Sequence, residues 1–202
     1  THDKRNSRPN PPGSAQRNRA AIIDAALICL ASNPRASMTE IAQTAGVGRV
    51  TLYGHFSSRR ELIDAAAAQT MSRADAQLAP LDLDGDAREA LELLVTSCWQ
   101  IIDNFHGLLG AAEEELGADR IRQHHDETML RVRRLIERGQ AEARFRSDQP
   151  AEWLVACFFA ILHGAATEIR EGRLSETAAE KVIPQTIQAL VSIPAAPSSR
   201  TP

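Results

Sequence analysis

Apolar residues recur along this sequence at intervals of three and four, the spacing that gathers side chains on one face of an α-helix. Alternation of β-branched with polar residues, the mark of a strand, is almost missing, and helix-favouring Ala, Leu, Glu, Arg and Gln dominate. The chain is therefore read as all-α. Ile22, Ala26, Leu27 and Leu30 mark a first helix, which Asn33-Pro34 stops because a residue before proline is pushed out of helical geometry. Ser37-Met38-Thr39-Glu40 has the form of a capping box and opens a short second helix that Gly46 ends. A third short helix covers about Arg49 to His55. Ser58-Arg59-Arg60-Glu61 repeats the capping pattern before a long Ala-rich helix toward Leu78, closed by Pro80.

Beyond the acidic loop Asp82 to Asp86, Leu91, Leu94, Val95, Cys98, Ile101, Ile102 and Phe105 form one broad stripe. Ile121, Met129, Val132, Leu135, Ile136 and Gly139 form another. Trp153 to Ala166 is apolar all round, and Ala179, Val182, Ile183, Thr186, Ile187, Leu190 and Val191 close the series. Pro184, inside that last stripe, removes a helical hydrogen bond and is expected to kink it. The segments outside these patterns, 1–13 and 194–202, are rich in proline and small or polar residues and are read as a flexible basic arm and a disordered tail.

With 202 residues and 43% apolar content, the chain can bury one large core or a small domain beside a larger one. Cys29, Cys98 and Cys157 are odd in number, far apart and each in an apolar stretch, which suggests neither a disulfide framework nor a metal knuckle. No basic stretch followed by an apolar run opens the sequence, and Trp153 to Ala166 is shorter than the roughly 20 residues that cross a bilayer. The expectation is a soluble protein of the reducing cytoplasm with no membrane partner; the missing first Met suggests a trimmed or tagged N-terminus. The net charge of −3 conceals an asymmetry. Residues 1–60 hold nine basic residues against three acidic ones, a net of +6, which leaves −9 for the remainder. A basic first third joined to an acidic body suggests that only the first third meets a polyanion.

The segment from Ser37 to Phe56 carries the most information. Two helices that cross steeply need a small residue at their approach, a turn residue tolerating positive φ, and apolar contacts between them. Ala42, Gly46 and Leu52 meet these needs in turn, and Ile41, Ala45 and Val47 complete an inward face. Arg49, Val50, Thr51, Tyr53 and His55 remain for an outward face on the second helix, the one that enters the major groove in helix-turn-helix proteins. Arg59 and Arg60 at the next helix N-terminus add a possible phosphate clamp. The bland reading, an αα-hairpin within a helical bundle, fits Phe56 as a core aromatic but leaves Tyr53 in the basic part of the chain unexplained.

These residues carry a family resemblance. Ile41-Ala-x-x-Ala-Gly-Val, then Thr51-Leu-Tyr-x-His-Phe, then Ser58-Arg with Glu61-Leu62 closely resembles the signature of the tetracycline-repressor (TetR) family over roughly residues 17–63. The resemblance implies a three-helix DNA-binding head at 14–60 and an all-helical body at 61–193 that binds ligand and dimerises through its last two helices, about 151–170 and 175–192. It also implies phosphate contacts at Tyr53, His55 and Arg59, groove reading at Arg49, Val50 and Thr51, and further contacts at Ser37 and Thr39. Two positions depart from the pattern. Gly48 stands where a capping serine or threonine is usual, a change costing only a few tenths of a kcal/mol, and Val50 stands where glycine is common.

A ligand site in such a body would be mostly apolar with a few polar groups that fix orientation. Cys98, Trp99, Ile102, Phe105, Met129, Phe158, Phe159 and His163 are the candidates, though each would also serve as plain core. His124 and His125 point about 100° apart on a helix and lack the i, i+4 spacing of zinc helices, so no metal is expected. Glu113-Glu114-Glu115 reads as a solvated helix face. No phosphate loop or nucleophile motif appears, so neither a catalytic residue nor a cofactor is expected. The sequence thus favours a dimeric, ligand-responsive repressor on a palindromic duplex operator. The alternative is a helical small-molecule binder or enzyme whose N-terminal hairpin is structural.

Overall fold

The computed structural model describes residues 12–194, and among these all regular structure is α-helical, in ten helices. Helix α1 (Pro12–Ser32) begins inside the expected arm, because a proline in the first turn gives up no helical bond. The rest of the arm, 1–11, and the tail from 195 lie outside the described residues. Helices α2 (Met38–Thr44) and α3 (Arg49–His55) follow, with Gly46 at φ +67° turning the chain between them. The α2 capping box is complete: the Ser37 hydroxyl accepts from the Glu40 amide at 3.2 Å, and the Glu40 carboxylate accepts from the Ser37 amide at 2.6 Å. The second box is only half as expected. Ser58 Oγ accepts from the Glu61 amide at 3.1 Å, but the Glu61 carboxylate turns to Ser57, which offers both its amide and its hydroxyl at 2.7 Å.

Helix α4 (Arg59–Leu78) leads into α5 (Ala87–Asn104), α6 (His106–Glu115), α7 (Ala118–His124), α8 (Asp126–Ala141), α9 (Ala151–Arg170) and α10 (Glu176–Val191). One stripe expected as a helix ends at a joint, and the next is broken by one. Phe105, at φ −123° and ψ 20°, ends α5 and admits α6, while His125, at φ −95° and ψ 2°, separates α7 from α8. Ile121 therefore sits on a different helix from Met129. Pro184 lies within α10, which continues to Val191. Helix α9 reaches 20 residues, the length a bilayer crossing takes, so the run from Trp153 understated it. Its apolarity has a local cause: Leu154, Val155, Phe158, Leu162 and Ala166 are buried in the body core, where α9 packs on α5, α8 and α10.

Two cores result. The body core joins α5, α8, α9 and α10 with Leu78 and Phe145. The head core joins α1, α2, Leu52 and Phe56 with Leu62, Ile63, Ala66 and Ala67 of α4, and with Leu108, Ala111, Ala112 and Leu116 in and just after α6. Packing therefore does not divide the chain at residue 60: the first half of α4 and one face of α6 are built into the head, while Leu109 of α6 packs on the body core. The approach of α6 to α1 is close. A Cβ on Gly107 would run into the Leu30 carbonyl, so only glycine fits there.

Candidate nucleic-acid interface and ligand cavity

Helix α3 is anchored by one side chain. Leu52 is fully buried, while Arg49, Val50, Thr51 and Tyr53 are exposed, Val50 at 89% and Tyr53 at 45%. An 89% exposed valine gains nothing from the fold, so its neighbours and not the core explain it. Ser37 and Gly48 are also exposed, and Thr39 and His55 are half-buried. Gly48 is the α3 N-cap without a side-chain bond, and the space beside it is open. The Val47 amide bonds the Ala42 carbonyl at 3.0 Å and the Gly46 amide that of Gln43 at 3.1 Å, which fixes α3 on α2. Phe56 is buried as expected, with the Arg19 guanidinium 5.0 Å above its ring.

Arg59 is a correction. Its Nε donates to the Ala36 carbonyl at 3.1 Å, one terminal nitrogen donates to the Pro34 carbonyl at 2.6 Å, and the other pairs with Glu115. Arg60 likewise donates to the Glu115 and Leu116 carbonyls at the end of α6. Arg59 ties α4 to α6 and to the α1–α2 turn, and Arg60 ties α4 to the end of α6, so neither guanidinium is free as the expected clamp requires. The acidic run is exposed at Glu113 and Glu114, as a solvated face should be, but it is also paired. Glu113 pairs with Arg170 of α9 at 3.3 Å, Glu114 with Arg35 at 3.3 Å, and Glu115 with Arg59, so three successive carboxylates tie α6 to three different elements.

The body holds an open cavity of about 430 Å³ whose walls include Glu113, Ile121, Arg122, His125, Met129, Phe159 and His163. Behind it lies a smaller space of about 70 Å³, walled by Thr70, Met71, Ile101, Ile102, Phe105, Leu108 and Leu109 together with Ile121, His124, His125 and His163. Of the expected ligand residues, Met129, Phe159 and His163 line the first space, and Ile102, Phe105 and His163 the second. Cys98, Trp99 and Phe158 line neither. They face inward from α5 and α9 into the body core, where burial pushes the Cys98 thiol up to about 12.

The histidines diverge as their spacing requires. His124 meets Asp64 of α4 at 2.8 Å, beside a bidentate Arg120–Asp64 pair at 2.6 and 2.8 Å, and the Arg120 bonds first, then His124, hold Asp64 down to about 2. His125 Nδ1 lies 2.7 Å from the Ile121 carbonyl, which can only accept, so Nδ1 donates and Nε2 is the acceptor of the neutral ring. His125 sits edge-on to Phe159 and His163 at 5.7 and 5.1 Å. Burial lowers both histidines, His163 to about 4, which keeps them neutral. Among the described residues no three His, Cys, Asp or Glu side chains cluster as a metal site would need.

Residues 22–66 match the family model of the bacterial regulatory proteins, tetR family. That segment, the head of the protein, is a tetR-family domain. The transcriptional repressor LfrR of Mycolicibacterium smegmatis is 25% identical to this chain over 187 residues, 90% of this chain and 95% of LfrR. A crystal structure of LfrR from Mycobacterium smegmatis with proflavine is 23% identical and has a TM-score of 0.67 over 89% of this chain and 98% of that one. A FadR from Bacillus subtilis, solved with stearoyl-CoA, is 16% identical and also scores 0.67, over 85% and 98%. These likenesses establish the fold over the part of the chain they cover, helix-turn-helix head included. Reasoning from sequence missed His125, Thr70 and the α6 glutamates in the body. Their only signal was position, a histidine at a helix joint and carboxylates in a row, and neither reveals its partner.

Proposed function

We propose that the chain is a ligand-responsive repressor that binds a near-palindromic duplex as a homodimer and performs no catalysis. The observation that carries this is the outward face of α3, where Arg49, Val50, Thr51 and Tyr53 stand exposed on a helix fixed by Leu52. Tyr53, His55, Ser37 and Thr39 are assigned to phosphates and Arg49, Val50 and Thr51 to base edges. Proflavine on LfrR and stearoyl-CoA on FadR support a body that holds a small molecule. The 430 Å³ cavity falls within the range of small-molecule sites.

The dimer reading rests on the outer faces of α9 and α10. The stripe Ala179, Ile183, Ile187 and Val191 is buried in the chain's own core, so a pairing of the last two helices would use their other faces. What remains outside is Trp153 at 57%, Val182 at 40%, and Ala160 and Gly164, small enough to let a second helix approach. Selection of duplexes from a random library should return two half-sites roughly 34–36 Å apart, or a multiple of that. Val182→Glu with Trp153→Glu should keep the helical signal, halve the sedimenting mass and bring binding toward non-specific levels. An unaltered monomer that still binds the selected duplex tightly would overturn the dimer, and a library yielding no preferred sequence would overturn the repressor.

A further inference from the structure

The two spaces in the body differ in chemistry. The outer one is open and carries Glu113, paired to Arg170, and the exposed Arg122. The inner one is walled by apolar side chains and contains an unusual hydroxyl. Thr70 is only 5% exposed, and its Oγ1 has no hydrogen-bond partner. Other threonines of the chain are satisfied: Thr128 on Asp75 at 3.1 Å, Thr167 on the His163 carbonyl at 3.1 Å and Thr186 on the Val182 carbonyl at 2.7 Å. Thr70 does not make the usual bond to its own helix, and a buried hydroxyl left unpaired is destabilising. Such a group in a cavity wall points to a missing partner.

The other polar groups around the inner space limit what that partner can be. His124 is engaged by Asp64, and His125 has committed Nδ1 to Ile121, while His125 and His163 are neutral. No charged group is left there to compensate an ionised ligand end, whose desolvation would be costly. Ile121, His125 and His163 are walls of both spaces, so the two adjoin at these three side chains.

We infer that the inner space is the recognition subsite for the effector, taking an uncharged apolar end that carries one neutral oxygen for Thr70 and enters past His125, His163 and Ile121. A space of about 70 Å³ is smaller than a ring, so Met71 and Leu109, flexible and unbranched at Cβ, move aside as it enters. The inference rests on reading the body as a ligand-binding domain, and its test keeps the two separable.

Full-length protein is titrated by calorimetry, without DNA, with 4-phenylphenol and with biphenyl, which differ by one hydroxyl. The phenol is expected to bind at least about tenfold tighter. Thr70→Val should erase that preference by weakening only the phenol, and Thr70→Ser, which keeps the hydroxyl, should retain it. Circular dichroism checks that each variant is folded, and the wild-type comparison alone decides the matter if Thr70→Val is not. Equal affinities in the wild-type protein, a preference that survives Thr70→Val, or no binding of either probe overturns the subsite. Duplex binding is measured in parallel. If it persists while the phenol shows no advantage, the subsite alone falls, and if it is absent too, the regulatory reading falls with it.

Discussion

The head and the body are both helical, but they place their polar groups on opposite sides of their cores. The head closes on small residues, with Ala25, Ala26, Ala36, Ala42 and Ala66 around Leu52 and Phe56, and its unexplained side chains are outside, on α3. The body packs larger residues, Leu154, Phe158 and Ile136 among them, and its unexplained side chains are inside, Thr70, His125 and His163 around the cavities. A rigid face can be specified by one short stretch of chain. An internal space needs several helices to meet, and here α4, α5, α6, α7 and α9 all contribute.

The strongest challenge to this contrast is a cavity-forming change in the body core. Phe158→Ala should cost about 3–5 kcal/mol. Because α4 and α6 are built into both regions, denaturation should show one transition, with duplex binding and helicity lost together. Two separated transitions would mean that head and body are independent after all.

Acid should distinguish the regions next. His163 is held to about 4 by burial, below its ordinary value of 6.5, so between those values the unfolded chain binds a proton that the folded chain refuses. Stability from this group is complete above about pH 6.5 and falls as the pH drops toward 4, by on the order of 3 kcal/mol. His163→Gln should flatten that slope in urea midpoints taken from pH 7 to 4. An unchanged slope would mean that the ring is hydrated in solution.

The α3 face gives smaller effects. Arg49→Ala should relax discrimination at one base pair by about 1–3 kcal/mol, read from binding to single-base operator variants. Equal losses on all duplexes would make Arg49 a phosphate contact. Tyr53→Phe should behave in that second way, lowering affinity for every duplex by roughly 1–2 kcal/mol with base preference unchanged. The smallest effect belongs to the exposed Arg35–Glu114 pair, where Glu114→Ala should change stability by less than about 0.5 kcal/mol. Glu115→Ala, which strips the largely buried Arg59 of its carboxylate, should exceed it in the same melts.

The same contrast governs what could be read without coordinates. The head is specified locally: Ser37 and Glu40 cap each other, Gly46 turns the chain, Gly48 starts α3, and all lie within a dozen residues. In the body, helix content was legible but its interruption at His125 was not, because an apolar stripe continues unbroken across that joint. Arg59 failed as a phosphate contact for a similar reason. Its proximity to α3 is written in the sequence, but Glu115, which claims it from 56 residues away, is not. Cys98, Trp99 and Phe158 are apolar in the same way as Ile102 and Phe105, and only the direction of each helix face separates core from cavity wall.

Helix α6 carries a consequence for anyone who would exchange parts between such proteins. A chimera cut after Leu78 would transplant α1 to α4 and leave behind Leu108, Ala111, Ala112 and Leu116, uncovering Leu30 and Ala66 and stranding Arg59 and Arg60. The donor body would have to offer its own helix at the same height, with a glycine opposite the Leu30 carbonyl and a carboxylate at its last residue. The unit of inheritance is therefore discontinuous along the chain: the reader of DNA travels together with a helix encoded about fifty residues beyond α3.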